Sequence, residues 1–170
     1  ISGDAVRSFT VMFLQMWNIS EKQPEDFEAY LTAKSALVKK QEGFVLPYAD
    51  SPFDSEDIGQ QVYFHMLNHA KKYVHIMTPY LILDHDLIDA LKYCAGRGIE
   101  VIIIMPHIPD KIYAYLLARS YYKELLGAGV KIYEYTPGFV HAKEFISDDI
   151  RATVGTANLD FRSLYLHFEC

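Results

Sequence analysis

Cysteine is scarce in this chain: Cys94 and Cys170 are the only two in 170 residues. Two thiols cannot build a disulfide framework, and they lack metal-ligand spacing, so folding is expected to rest on a hydrophobic core in a reducing, cytosol-facing compartment. A basic excess is missing as well. The formal charge is −6, which weighs against a general nucleic-acid binder but leaves room for a small cationic pocket. No apolar run reaches the roughly 18 residues needed to span a bilayer. Asp4 and Arg7 break the first apolar stretch, so residues 1–17 are not read as a signal peptide. Low-complexity tracts and strong internal repeats are absent too.

What is there is a globular composition, 51% apolar, with thirteen Tyr and ten Phe, long enough for one sizeable core. DAVRSFTVMFLQMW (4–17) has helical spacing, with Asp4 placed to cap and Ala5, Phe9, Met12, Phe13 and Met16 on one stripe. Residues 19–42 are more polar, with Pro24, Glu25-Asp26 and Lys39-Lys40, and read as a connector with some helix. From Gly43 a regular alternation begins. Strands are expected over 43–49, 74–80, 99–106 and 130–136, and helices over 58–73, 84–98 and about 112–127. After Pro137-Gly138 the reading is FVHAKEFIS, RATVGTAN and LYLHFE as strands, with a turn of helix near Asp160–Ser163. The apolar, β-branched run IEVIIIMP belongs inside a sheet covered on both faces. Together these imply a layered α/β domain with a mixed β-sheet.

The chemistry is concentrated in HAKEFISDDIRATVGTAN (141–158). On a strand, His141 and Lys143 point the same way, and Thr156 and Asn158 share a parity on the next. A hairpin turning near Ser147-Asp148-Asp149 would bring imidazole, ammonium, hydroxyl and carboxamide together, with Gly155 allowing close backbone approach. That set suits a phosphoryl group. Lys143 and Asn158 can donate to non-bridging oxygens, and His141 can attack phosphorus or protonate a leaving alcohol. No carboxylate cluster stands ready for Mg²⁺ or Zn²⁺, so neither metal nor cofactor is expected.

HAKEFISD followed by GTAN resembles the HxKxxxxD…G[ST]xN signature of the phospholipase D superfamily. TPYLILDHDLIDALKYCAGRGIEVIIIMPHIPDK, ARSYYKELLGAGVKIYEYTPGFVHAK and VGTANLDFRSLYLHFE resemble the bacterial cardiolipin synthase branch, over most of the chain from about Val11. The resemblance implies a phospholipase D-type layered α/β/α domain. It makes His141 and Lys143 the second-motif pair, Asn158 the phosphate-binding asparagine and Asp148 a mainly structural aspartate. Thr156 stands where the family more often has Ser, and Glu169 where it supplies a carboxylate that orients the histidine. Such enzymes build one site from two motifs, and one is present here. Residues 1–18 are accordingly read as the last helix of a preceding repeat, 19–42 as the connector, and 43–170 as the second catalytic repeat, truncated at its carboxy end.

The implied reaction is phosphatidyl transfer through a phosphohistidine: one phosphatidylglycerol gives up glycerol, and a second accepts the phosphatidyl group to give cardiolipin. His141 is assigned as acid, then base, although the sequence leaves open which histidine is the nucleophile. The implied partners are phosphatidylglycerol, the first repeat of the same full-length chain, the membrane surface and conceivably a second copy, with no nucleic acid. The implied location is a bacterial cell membrane, with the catalytic part facing the cytoplasm. Two other functions share the motif: a water-using phosphodiesterase or nuclease, and a non-catalytic docking repeat.

Weaker features are His107, after the central strand where α/β loops often carry function and so a candidate for substrate binding, and His65/His69. The latter pair lacks a third ligand and reads as helix packing. YAYLLARSYYKELL suits either a membrane interface or groove packing.

Overall fold

The computed structural model describes residues 3–31, 43–53 and 55–170. The expected connector therefore lies outside the described residues over 32–42. The chain divides into two compact units, Ile1–Ala49 and Asp50–Cys170.

In the first unit, α1 (Ala5–Asn18) follows the expected helical spacing, and a short α2 (Phe27–Leu31) packs on it. Asp4 does not cap. Its backbone is already helical (φ −63°, ψ −28°) and its carboxylate accepts nothing from the first turn. Phe13 leaves the expected stripe and stacks on Trp17 at an exposed surface. Residues 43–49, expected as a strand, form none: Pro47 removes a ladder donor, and the first pairing comes at Asp50.

The second unit contains α3 (Ile58–His69), β1 (Tyr73–Met77), β2 (Leu81–Ile82), α4 (His85–Gly96), β3 (Glu100–Pro106), α5 (Ile112–Gly127), β4 (Lys131–Tyr135), β5 (Glu144–Ser147), β6 (Arg151–Val154), β7 (Leu159–Asp160) and α6 (Phe161–Tyr165). Five strands form a mixed sheet in the order β4-β3-β1-β5-β6. The first three run parallel, and β5 runs antiparallel to both its neighbours. A second, two-stranded parallel sheet pairs β2 with β7.

Strand alternation decides the core. Val74, Ile76, Val101, Ile103, Met105 and Phe145 point to one face and are fully buried with Tyr63, Met66 and Leu67 of α3, Leu87 and Leu91 of α4, and Ala118 and Leu125 of α5. Phe145 stacks on Tyr63 with ring centroids 4.1 Å apart, worth about 1 kcal/mol beyond the area it buries. On the other face, His75, Met77, Ile102 and Ile104 stay partly exposed. Arg97, just after α4, donates to the carbonyls of Leu67 and Asn68, the orphan acceptors at the end of α3.

Several boundaries differ from the sequence reading, for visible reasons. The helix expected over 58–73 stops at His69 because the N–H groups of Lys71, Lys72 and Tyr73 all donate to the Asp148 carboxylate. At its other end, α3 is capped from a distance: Asp50 accepts from the Gly59 N–H at 2.8 Å, while Asp57 makes no side-chain cap. The strand expected over 164–169 is instead the end of α6 followed by an irregular return, with a single bridge from Glu169 to Asp50. Asp160 starts α6 by accepting from the Ser163 N–H at 2.8 Å, and this capped turn takes Leu164 and Tyr165 out of extended geometry.

The β5–β6 hairpin turns where expected. Asp148 and Asp149 sit at φ 56° and 57°, and the Ile150 N–H donates to the Ser147 carbonyl at 3.0 Å. Two successive left-handed residues match the twist of the flanking strands, and Asp tolerates that conformation. The three backbone donors hold the Asp148 carboxyl below its ordinary range, with the Tyr73 N–H contributing most. Asp148→Ala should therefore cost about 1–3 kcal/mol in urea unfolding at neutral pH, from lost acceptors and a left-handed Ala. Asp148→Asn should cost less. Because the folded pKa is depressed, the parent's advantage is full above the unfolded value of about 3.9 and is lost as pH falls through the folded value. Unfolding curves at pH 7 and pH 3 check both points.

Candidate active site

The parallel strands β1, β3 and β4 all end at one edge of the sheet. The antiparallel β5 starts there, and β6 returns there. His141 and Lys143 therefore arrive at that edge just before β5, and Gly155, Thr156 and Asn158 just after β6. The expected strand over 139–147 is paired only from Glu144. His141 and Lys143 lie on the approach to the strand, tied to the returning arm through the Lys143 carbonyl, which accepts from the Gly155 N–H at 3.3 Å.

His141 and Lys143 meet. The Lys143 ammonium donates to His141 Nδ1 at 2.6 Å and to the His141 carbonyl at 2.7 Å. An acceptor at Nδ1 puts the proton of a neutral imidazole on Nε2, the nitrogen facing away from lysine. Phe139 stacks on the imidazole with centroids 5.8 Å apart, and Tyr80 meets it edge-on at 6.0 Å. Burial pushes the Lys143 ammonium below its ordinary range, opposed by the carboxylates of Glu169, Asp110 and Asp160.

The second half of the motif is built by close backbone contact. The Thr156 N–H donates to the Cys170 carbonyl at 2.7 Å, and the Cys170 N–H donates to Thr156 Oγ1 at 3.0 Å. A Cβ on Gly155 would lie 2.1 Å from that carbonyl oxygen, so only glycine fits. Asn158 donates through Nδ2 to Ser163 Oγ at 2.9 Å, while its Oδ1 is buried without a hydrogen-bond partner among the described residues.

Other candidates fall elsewhere. Glu169 is buried but makes no hydrogen bond to His141; its carboxylate lies 3.8 Å from His167 Nδ1. His107 sits at the same edge on the β3–β4 side, bonded through Nδ1 to Glu134 at 2.9 Å, and is not joined to His141 or Lys143. Asp148 is at the far end of the hairpin, on the α3–β1 turn. His65 and His69 stack on each other at 4.0 Å. Among the described residues, no group of three or more His, Cys, Asp or Glu side chains is placed to hold a metal ion.

Sequence reasoning missed Tyr80, Asp110 and Asp160. Tyr80 follows β1 and donates through its hydroxyl to Asp110, which raises its pKa, burial contributing most. TPY, PHIPD and NLD each follow a strand arriving at the functional edge, and that shared position was the available signal.

The fold is shared with solved structures. It resembles Nuc from Salmonella typhimurium, a phospholipase D family member, at TM-score 0.55 and 20% identity over 65% of this chain and 70% of that one. It also resembles the phosphatidylserine synthase of Haemophilus influenzae, at TM-score 0.51 and 20% identity over 65% and 30% of the two chains. The class is thus an α/β domain of phospholipase D type with a mixed sheet.

Residues 63–170 match the family described as cardiolipin synthase, PLD-like domain. An uncharacterized protein of Streptococcus mutans is 57% identical over all 170 residues, which span 36% of that protein. Cardiolipin synthase 2 of Bacillus anthracis is 43% identical, and the cardiolipin synthase of Alkalihalophilus pseudofirmus 40%, each over 99% of this chain and 33% of its own length. The chain belongs to the phospholipase D-like family of bacterial cardiolipin synthases, and it spans about a third of the length of these curated relatives.

Two substitutions test the geometry without any assay of activity. Gly155→Ala should displace the Glu169–Cys170 segment and cost about 1–3 kcal/mol of stability, the usual penalty for overpacking, read by urea unfolding. Lys143→Met should behave oppositely. A folded-state lysine pKa that burial has lowered means the charged form is penalised while protonated, and the penalty fades as pH rises through the folded value. At pH 7 the variant should be at least as stable as the parent, with the difference shrinking above that value.

Proposed function

We propose that this chain supplies the second histidine–lysine half of a phosphatidyltransferase that makes cardiolipin and glycerol from two molecules of phosphatidylglycerol. The observation that carries this reading is the contact of Lys143 with His141 Nδ1 at the edge where Thr156 and Asn158 arrive, in a chain that belongs to the cardiolipin synthase family.

In this mechanism, a histidine of the first repeat attacks the phosphodiester phosphorus of one phosphatidylglycerol. The P–N bond forms, the P–O bond to glycerol breaks, and His141 Nε2 gives its proton to the departing alkoxide while Lys143 passes a proton to Nδ1, so the imidazole stays neutral. The hydroxyl of a second phosphatidylglycerol then attacks phosphorus. The new P–O bond forms, the P–N bond breaks, and the hydroxyl proton goes to His141 Nε2. The Lys143–Nδ1 contact carries this acid-then-base role, with lysine giving Nδ1 a proton in the first step and taking it back in the second.

Lys143 and Asn158 stabilise the non-bridging oxygens as charge builds up. A half-turn of the Asn158 carboxamide lets Ser163 donate to Oδ1 and releases Nδ2 from Ser163. Thr156 and Gly155 contribute to the phosphate cradle, Glu169 adds a carboxylate to the field at Lys143, and His107 sits farther along the same edge. Asp148 acts through the fold.

The partner is the first repeat of the full-length chain, and the partly exposed sheet face with Met77, Ile102 and Ile104 supports such a neighbour. Its substrates place the enzyme at a bacterial cell membrane, with the catalytic part facing the cytoplasm. No helix among the described residues is long and apolar enough to cross a membrane.

His141→Ala in the full-length protein should lower glycerol release from phosphatidylglycerol vesicles by at least about 10³-fold, with chelator present throughout. Cardiolipin accompanying glycerol in the parent supports transfer, phosphatidic acid alone points to water as acceptor, and unchanged release in the variant would overturn the role of His141.

A further inference from the structure

Beside the His141–Lys143 pair lies a small cleft, open to solvent, that the family motif does not account for. Its walls are the rings of Tyr80, Tyr113 and Phe161 with Ile82, and Lys111 and Arg162 complete the lining with Asp160. Tyr80 links it to the motif, since the same ring meets the His141 imidazole edge-on.

Three features specify what would fit. First, Asp160 is 6% exposed. One carboxylate oxygen caps α6 through the Ser163 N–H, and the other has no hydrogen-bond partner among the described residues. That second oxygen is not sealed from solvent, so a donor in the cleft can reach it, while its charge repels phosphate. Second, Lys111 and Arg162 are exposed cations, and neither is ion-paired with a carboxylate among the described residues. Lys111 lies over the Tyr80 ring at 5.7 Å, and Arg162 contacts His167 at 3.1 Å. In a chain of net charge −6, two unpaired cations at one mouth favour an anion there. Third, the aromatic and aliphatic walls favour hydrocarbon.

We propose that this cleft is the acceptor site, binding a second anionic phospholipid whose headgroup carries a free hydroxyl. That hydroxyl donates to Asp160 at the floor, the lipid phosphate lies between Lys111 and Arg162 at the mouth, and the glycerol and first acyl carbons lie against Tyr113 and Phe161. The proposal rests on the transferase reading above and adds the place where the accepting lipid binds. Asp160 holds the hydroxyl and takes no proton. The neighbouring hydroxyl of the same headgroup supplies the oxygen of the new P–O bond as the P–N bond of the phosphohistidine breaks, and the proton of that neighbouring hydroxyl passes to His141.

The test uses the full-length protein with phosphatidylglycerol vesicles and measures cardiolipin and phosphatidic acid from the same reaction. Lys111→Gln with Arg162→Gln, and separately Asp160→Asn, which keeps a helix-capping oxygen, should each lower the ratio of cardiolipin to phosphatidic acid by about 10-fold, one ion contact's worth. A thermal melt of each variant confirms that it is folded. If the parent makes cardiolipin and both sets of variants leave the ratio unchanged, whether or not total turnover falls, the acceptor assignment is wrong while the transferase reading stands. If the parent makes no cardiolipin, both fall.

Discussion

The Asp148 carboxylate, gripped by three consecutive backbone N–H groups, is the interaction on which the rest of this domain depends. It ends α3, starts β1 in register, and fixes the turn of the β5–β6 hairpin against them. β5 lies beside β1, so the anchor also determines where both arms of the hairpin reach the opposite edge. A carboxylate meeting three main-chain donors is strongly directional, and an anion at this point needs no counter-charge. The aspartate of the motif is thus remote from the chemistry while setting its coordinates.

At the functional edge the dominant constraint is electrostatic. Lys143 is drawn out of water and sits in the field of Glu169, Asp110 and Asp160, which keep an ammonium tolerable there. The fold loses stability by holding this charge in partial burial. What it gains is a donor that fixes the orientation and tautomer of His141 in advance. Tyr80 and Phe139 complete the immobilisation from two sides of the ring.

Most of this was legible in the sequence where periodicity and motif agreed. The apolar run of β3 and the hairpin between Lys143 and Gly155 followed from side-chain alternation, whereas His141 and Lys143 meet just outside the strand that alternation assigned them. Where the reading slipped, a long-range contact had overridden local preference. Residues 70–73 look helical until Asp148, far away in sequence, claims their donors. Residues 164–165 look extended until Asp160 nucleates a helical turn. Asp50 caps a helix that begins at Ile58, past the acid at Asp57 that local rules would choose. Tyr80, Asp110 and Asp160 were invisible for a related reason: each is unremarkable on its own strand end, and only the sheet order brings the three ends together.

The fixed spacing of the motif is a ruler. From Lys143 to Asp148 the chain crosses the sheet once, a run of five residues or roughly 17 Å at the rise of an extended strand, and from Asp149 to Gly155 it crosses back. One end of the ruler is pinned by main-chain donors, and the other carries the ammonium. The Gly155 N–H closes the loop on the Lys143 carbonyl at 3.3 Å. An insertion in either arm would therefore be read at both ends at once, as a lost anchor and a misplaced cation. The interval between lysine and aspartate in this motif measures the width of a β-sheet.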